Sequence, residues 1–231
     1  AQRPLPTRPP VVAVLDGSSS GKTAGELLGV GGAIPVVNRL ADAHGANTLL
    51  IGIAPPGGKL PAAWEPIVLD ALKRRMTVVS GLHDLLRNNA RFVDAAEEYG
   101  GTLVDLRDSN ESDVASGEPF RDGCLRIHTI ANDCSVGKMV AAVELADGLR
   151  RAGVDAQFIA TGQTGMLVAG NGCAVDRVIS DFVPGAAEKL VRANEHHEVV
   201  VVEGQGSLFH PRYSGVTLSL LHGVQPDGGD R

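Results

Sequence analysis

The chain has 231 residues, 43% of them hydrophobic and 21% charged, with a formal net charge of -6. That length carries one large domain or two modest ones, each with its own core. The acidic balance lacks the concentrated basic face that nucleic acid requires, and apolar runs such as Val199 to Val202 are far too short to span a bilayer.

The proline-rich start, Ala1 to Pro10, lacks the charged-then-apolar order of a signal peptide. Val11 to Leu15 then reads as a short buried strand, and Ile34 to Val37, Thr48 to Ala54, Thr77 to Ser80 and Thr102 to Leu106 as further strands. Helices are expected between them at Asn38 to His44, Ala62 to Arg75 and Asn89 to Tyr99. Strands and helices alternating in this way predict a parallel sheet. Arg107 to Gly123 is polar and turn-rich without apolar periodicity, which predicts a linker between a domain at 1–106 and a second at 124–231.

The second domain restarts with a strand, Leu125 to Ile130, a loop, and a helix from Gly137 to Ala152. A strand at Val154 to Ala160, a Gly/Thr-rich loop, a helix at Pro184 to Glu195 and a strand at Val199 to Glu203 follow. The sequence stops where another strand is due, so the second sheet is expected to be incomplete at its C-terminal side. Cys124, Cys134 and Cys173 show no C-x-x-C spacing and read as reduced thiols of a cytoplasmic protein.

The strongest chemical signal is Ala131-Asn132-Asp133-Cys134-Ser135-Val136-Gly137-Lys138 between strand and helix. A P-loop cradles phosphate with successive backbone N–H groups and a helix N-terminus, and its lysine adds a point charge. Asn132, Asp133, Cys134, Ser135, Val136, Gly137 and Lys138 are therefore the candidate cofactor-binding residues. Ala131 stands where such loops carry glycine, and Met139 stands where Ser or Thr would ligate Mg²⁺. Glu203 closes the four-valine strand, a position beside the P-loop suited to a base or a metal ligand. Thr161, Gln163 and Thr164 after another strand end, and Gln205, Ser207 and Arg212 after Glu203, are the candidate substrate-binding residues, with the titratable His210 among the latter.

Near the N-terminus, Asp16-Gly17-Ser18-Ser19-Ser20-Gly21-Lys22-Thr23 imitates a second P-loop. Asp16 occupies the first-glycine position, where a carboxylate would face phosphate, so the expectation is a Rossmann-like turn. The glycine-rich strand end Gly52 to Gly58 could equally touch a ligand or make a tight turn.

The runs IGIAPPGGKLP, VVSGLHDLL, ANDCSVGK, FIATGQTGMLVAG, VISDFVPGAAE and VVEGQGSLFHPRYSGVTLSLLHG resemble a bacterial and archaeal family described as D-glutamate N-acetyltransferase-like. The resemblance covers about Val11 to Asp227. It implies an α/β protein with a Rossmann-like N-terminal domain followed by a P-loop α/β domain with a mostly parallel sheet. It also implies acetyl transfer from acetyl-CoA, as co-substrate, to D-glutamate, an entry step of D-amino-acid catabolism. Members of the family are usually longer at the C-terminus.

The second half also resembles dethiobiotin synthetase, whose relatives use ATP with Mg²⁺ to activate a carboxylate. Met139 fits that chemistry poorly, because a thioether is a weak Mg²⁺ ligand. The reading adopted is therefore acyl transfer to an amine, which needs a base and donors for the tetrahedral oxyanion. Glu203 or His210 is the candidate base. Backbone amides at 161–165 or 204–207 are candidate oxyanion donors, and Arg212 is a candidate for the substrate carboxylate. An amino acid is the expected partner, and a homo-oligomer is compatible with this composition. The alternatives are an ATP-dependent ligase or kinase and a non-catalytic nucleotide-binding module.

Overall fold

The computed structural model describes residues 10–53, 55–211 and 213–227. The expectations for the N-terminal proline-rich stretch, for Ala54 and for Arg212 thus lie outside the described residues. The chain divides into two compact units, Pro9–Arg107 and the stretch from Asp108 onward.

In the first unit β1 (Val14–Leu15), α1 (Ala24–Leu28) and β2 (Val36–Val37) precede β3 (Thr48–Ile51), α2 (Glu65–Lys73), β4 (Thr77–Ser80), α3 (Ala90–Tyr99) and β5 (Thr102–Asp105). β1 and β2 form a parallel pair, and β3, β4 and β5 form a parallel sheet with β4 in the middle. Val68, Ala71 and Leu72 of α2 and Phe92 and Ala95 of α3 close its core with Ile51 and Val78. Helix α3 starts where the Asn89 side chain accepts from Arg91 N and stops at Gly100, φ 77. The helix expected at 38–44 is a correction. Only Leu40–Asp42 turns, as a single 3₁₀ turn, and Gly45 (φ 79) ends the segment too soon for an amphipathic face to form.

The second unit contains β6 (Leu125–His128), α4 (Lys138–Arg151), β7 (Ala156–Ile159), α5 (Gln163–Ala169), α6 (Val183–Asn194), β8 (Val199–Val202) and α7 (Ser214–Val224). Its parallel sheet runs β6-β8-β7, so the four valines of β8 lie in the centre and are buried on both faces. Val199 and Val201 pack with Ala142 and Ala146 of α4, while Val200 and Val202 pack with α6 and α7 through Ala186, Val191 and Leu220. Gly223 of α7 lies against the Pro184 carbonyl, where a side chain would collide, and this brings α7 close to α6. After α7 the chain returns to β6, where Asp227 N donates to Arg126 O (2.9 Å) and Arg126 pairs with the Asp227 carboxylate (2.6 Å).

The segment expected as a linker has no regular secondary structure, yet from Asp108 it belongs to the second unit. Phe120 is buried in the core with Val183 and Val191, between the guanidinium groups of Arg126 and Arg192 at 5.0 and 4.8 Å. Ser116 N donates to Glu188 of α6 (2.7 Å), Arg192 to the Glu118 carbonyl (2.9 Å), and Lys189 to Glu111 (3.0 Å). Side-chain anchors spaced along an extended chain carry no period, which is why the pattern read as unstructured. Among the described residues no helix is long and apolar enough to cross a membrane.

Candidate functional site

In the second unit the loops after β6, β7 and β8 all leave the carboxyl ends of the sheet, the edge where open α/β sheets place ligands. The loop from β6 enters α4 through Ser135 (φ 56) and Gly137 (φ 97), both left-handed, with Gly137 as the residue before the first helical turn. Gly137 suits that conformation, which a side chain strains. Asn132, Asp133, Ser135, Val136 and Gly137 are exposed and lead into a 14-residue helix. Lys138 folds back and donates from Nζ to the Asp133 carbonyl (2.9 Å), and the Asp133 carboxylate accepts from Cys134 N (2.7 Å). The loop is thus closed on itself at the N-terminus of α4, with its lysine bridging its own backbone.

The connection after β8 frames that loop. Leu208 N donates to the Ala131 carbonyl (3.0 Å), and the buried Ser207 hydroxyl donates to the Asn132 carbonyl (2.9 Å) while accepting from His210 N (2.8 Å). Gly204 N donates to the Thr129 hydroxyl (2.9 Å), and the Thr129 carbonyl and Lys138 side chain fill the space a Cβ at 204 would need. A glycine after Glu203 is thus required by close packing against the P-loop.

Glu203 is buried beside this frame. Its Oε2 accepts from Thr161 N (2.9 Å) and Gly162 N (3.1 Å), and Oε1 accepts from Gln205 Nε2 (3.1 Å). Burial raises its pKa above the ordinary carboxylate value, against the lowering effect of those three donors. The Thr161 hydroxyl donates to the Glu203 carbonyl (2.7 Å). Thr161 and Ser207 are buried, so both hydroxyls position other groups instead of presenting themselves to a substrate.

The stretch expected as a loop after β7 is corrected at its far end. Residues 163–169 form α5, preceded by the extended Gly162, which puts Gln163 (half-buried) and Thr164 (exposed) in the first helical turn. Glycine content argues against a helix by propensity, but Gly165 faces the Glu203 carboxylate, and tertiary fit overrides the propensity. His210 stacks on Tyr213, with ring centroids 4.8 Å apart, and its backbone hangs on Ser207.

Sequence reasoning missed His128, the last residue of β6. It is 8% exposed, neither ring nitrogen has a hydrogen-bond partner among the described residues, and burial pushes its pKa down to about 4. A titratable residue in the last strand position before a P-loop was the available signal. The thiols of Cys124 and Cys173 are buried and burial raises their pKa values, and Cys134 is half-buried.

The glycine turn near the N-terminus is occupied by its own residues. Asp16 accepts from Ser18 N (2.9 Å) and Ser18 Oγ (2.7 Å), while Thr23 and Glu26 cap the five-residue α1 reciprocally.

Residues 18–109 match a domain of unknown function described as the DUF1611_N Rossmann-like domain, and residues 113–228 match its partner, the DUF1611_C P-loop domain. A protein from Pseudoalteromonas sp named D-glutamate N-acetyltransferase is 42% identical over 79% of this chain and 55% of its own length. A second of the same name, from Tritonibacter scottomollicae, is 44% identical over 81% of the chain and 56% of its own length. The chain therefore spans about half the length of these curated relatives. The crystal structure of a DUF1611 family protein from Anabaena variabilis superposes with a TM-score of 0.87 at 35% identity, over 95% of this chain and 65% of the other. With both halves matched in order, and the parallel sheets that each description implies, the chain belongs to the DUF1611 family, a Rossmann-like domain followed by a P-loop domain.

Proposed function

We propose that this chain acts in N-acetyl transfer from acetyl-CoA to the amine of an amino acid, with D-glutamate as substrate. The observation that carries the reading is the pairing of an exposed, lysine-bearing P-loop with a buried carboxylate of raised pKa at the end of the neighbouring strand. The names of the two bacterial relatives support the same reaction class.

The P-loop amides and Lys138 are suited to the pyrophosphate or 3′-phosphate of coenzyme A. In the transfer the amine nitrogen attacks the thioester carbonyl, the C–S bond breaks, and the amine proton passes to a base. The proton then reaches the departing thiolate, which leaves as the thiol. Glu203 is our candidate base, since a carboxylate held above its usual pKa accepts a proton more readily near neutrality. His210 is the second candidate. Backbone N–H groups at 204–207 are candidate oxyanion donors, Gln163, Thr164 and Gln205 candidate substrate contacts, and Arg212 a candidate carboxylate partner.

Thermal unfolding with ligands tests this reading against an ATP-dependent ligase. Acetyl-CoA at about 100 times its dissociation constant should add roughly 2.7 kcal/mol of stability without divalent metal. Lys138→Ala should erase that effect and Lys22→Ala should leave it. Strong stabilisation by Mg²⁺-ATP, with none by acetyl-CoA, transfers the assignment to the ligase.

A further inference from the structure

The Glu203 carboxylate is 4% exposed, so nearly every acceptor site it has must be met from within the fold. An ionised carboxylate offers about four lone-pair sites, two on each oxygen. Oε2 takes the backbone N–H groups of Thr161 (2.9 Å) and Gly162 (3.1 Å), which fills both of its sites. Oε1 takes Gln205 Nε2 (3.1 Å) and nothing else among the described residues, so the open site lies on Oε1. Helix α5 closes Oε2 further, because a Cβ on Gly165 would collide with that oxygen.

The donors differ in freedom. Thr161 N and Gly162 N belong to buried backbone after β7, which the Thr161 hydroxyl ties to the Glu203 carbonyl (2.7 Å). Gln205 donates from a side chain and is half-buried, so solvent reaches it and not the other two. Its backbone is fixed by the Thr217 hydroxyl of α7, which donates to the Gln205 carbonyl (2.8 Å). Its Nε2 fills the space beside Gly162, where a Cβ would stand 2.5 Å away. No ionisable side chain stands on α5 or at 160–162. On the other elements around the carboxylate stand His128, Asp133, Cys134, Lys138, Cys173 and His210, and among the described residues none is hydrogen-bonded to it. Its proton affinity is therefore set by burial against three donors, of which Gln205 is the adjustable one.

We propose that Gln205 is a positioning residue for Glu203, its side-chain amide holding Oε1 so that the carboxylate takes up a proton at the open site of that oxygen. In the transfer this is the amine proton: the N–H bond breaks, Oε1 gains the proton, and the departing thiolate later receives it. That step rests on the transferase reading, whereas the hold of Gln205 on the carboxylate does not. In the unmodified chain the side-chain amide resonances of Gln205 should follow the Glu203 carboxyl carbon along one pH titration. Gln205→Met keeps the side-chain length and removes the donor, so the anion loses support and Glu203 should titrate about one pH unit higher. Gln205→Glu sets a second carboxyl against Oε1 and should raise the titration at least as far. Should both variants fail to fold, the shared titration in the unmodified chain decides alone. Gln205 resonances that stay still while Glu203 titrates, or a Glu203 titration unmoved in Gln205→Met, would overturn the proposal. A base of higher pKa is charged only at higher pH, so in an active enzyme Gln205→Met should move the acid limb of kcat/KM up by the same unit. A shifted titration beside an unmoved limb removes Glu203 as the base and leaves Gln205 as its positioning residue.

Discussion

Gly165 of α5 leaves the space that the Glu203 carboxylate occupies, and a methyl group on its Cα would overlap Oε2. Replacing a helical glycine by alanine ordinarily stabilises by about 1 kcal/mol. Here Gly165→Ala should instead destabilise by about 1–3 kcal/mol, the usual cost of overpacking a filled core. Denaturant midpoints decide the sign, and a raised midpoint would remove Gly165 from the site.

Glu203→Gln should lower turnover of the full-length protein at least about 100-fold, the usual scale for a lost general base, with cofactor affinity within a few-fold. The amide oxygen can still accept from Thr161 N and Gly162 N, so the frame persists. Near-normal turnover shifts suspicion to His210.

The same variant carries a pH signature. The folded-state pKa of Glu203 is raised, so the protonated form favours folding and that contribution is lost as pH rises through the raised value. Glu203→Gln should therefore match the parent most closely below the ordinary carboxylate value of 4.5 and gain on it toward neutral pH. Melting temperatures taken from pH 4 to 8 test this. A difference constant across that range contradicts it.

His128 works in the opposite direction. Its pKa falls from 6.5 to about 4, so the neutral ring favours folding above pH 6.5, and that contribution fades as pH drops toward 4. At 1.36 kcal/mol per pKa unit this is roughly 3 kcal/mol. His128→Leu should lose less stability than the parent between pH 7 and 4 by about that amount. Parallel losses on acidification would show that His128 is not the group responsible.

The segment 108–123 should resist proteolysis in the folded protein, because Phe120 and Ser116 hold it on α6. Phe120→Ala should cost about 3 kcal/mol or more and expose the segment to cleavage. Cleavage there in the unmodified protein, before any cut elsewhere, would contradict the packing.

Much of the fold was legible in the sequence because it rests on local patterns. Four consecutive valines mark a strand buried on both faces, and the run Ala131 to Lys138 between a strand and a helix marks the P-loop domain. The extent of α3 was equally plain, since the helix expected at 89–99 is found at Ala90–Tyr99, where local caps set its ends. Which groups meet was decided only in three dimensions. Thr161 and Glu203 are 42 positions apart and Ser207 and Asn132 are 75 apart, and nothing in their spacing tells that their hydrogen bonds build one frame. The anchoring of 108–123 and the helix at 163–169 were hidden for the same reason. Each is held by contacts with partners distant in the chain, which outweigh a local composition of polar residues and glycine.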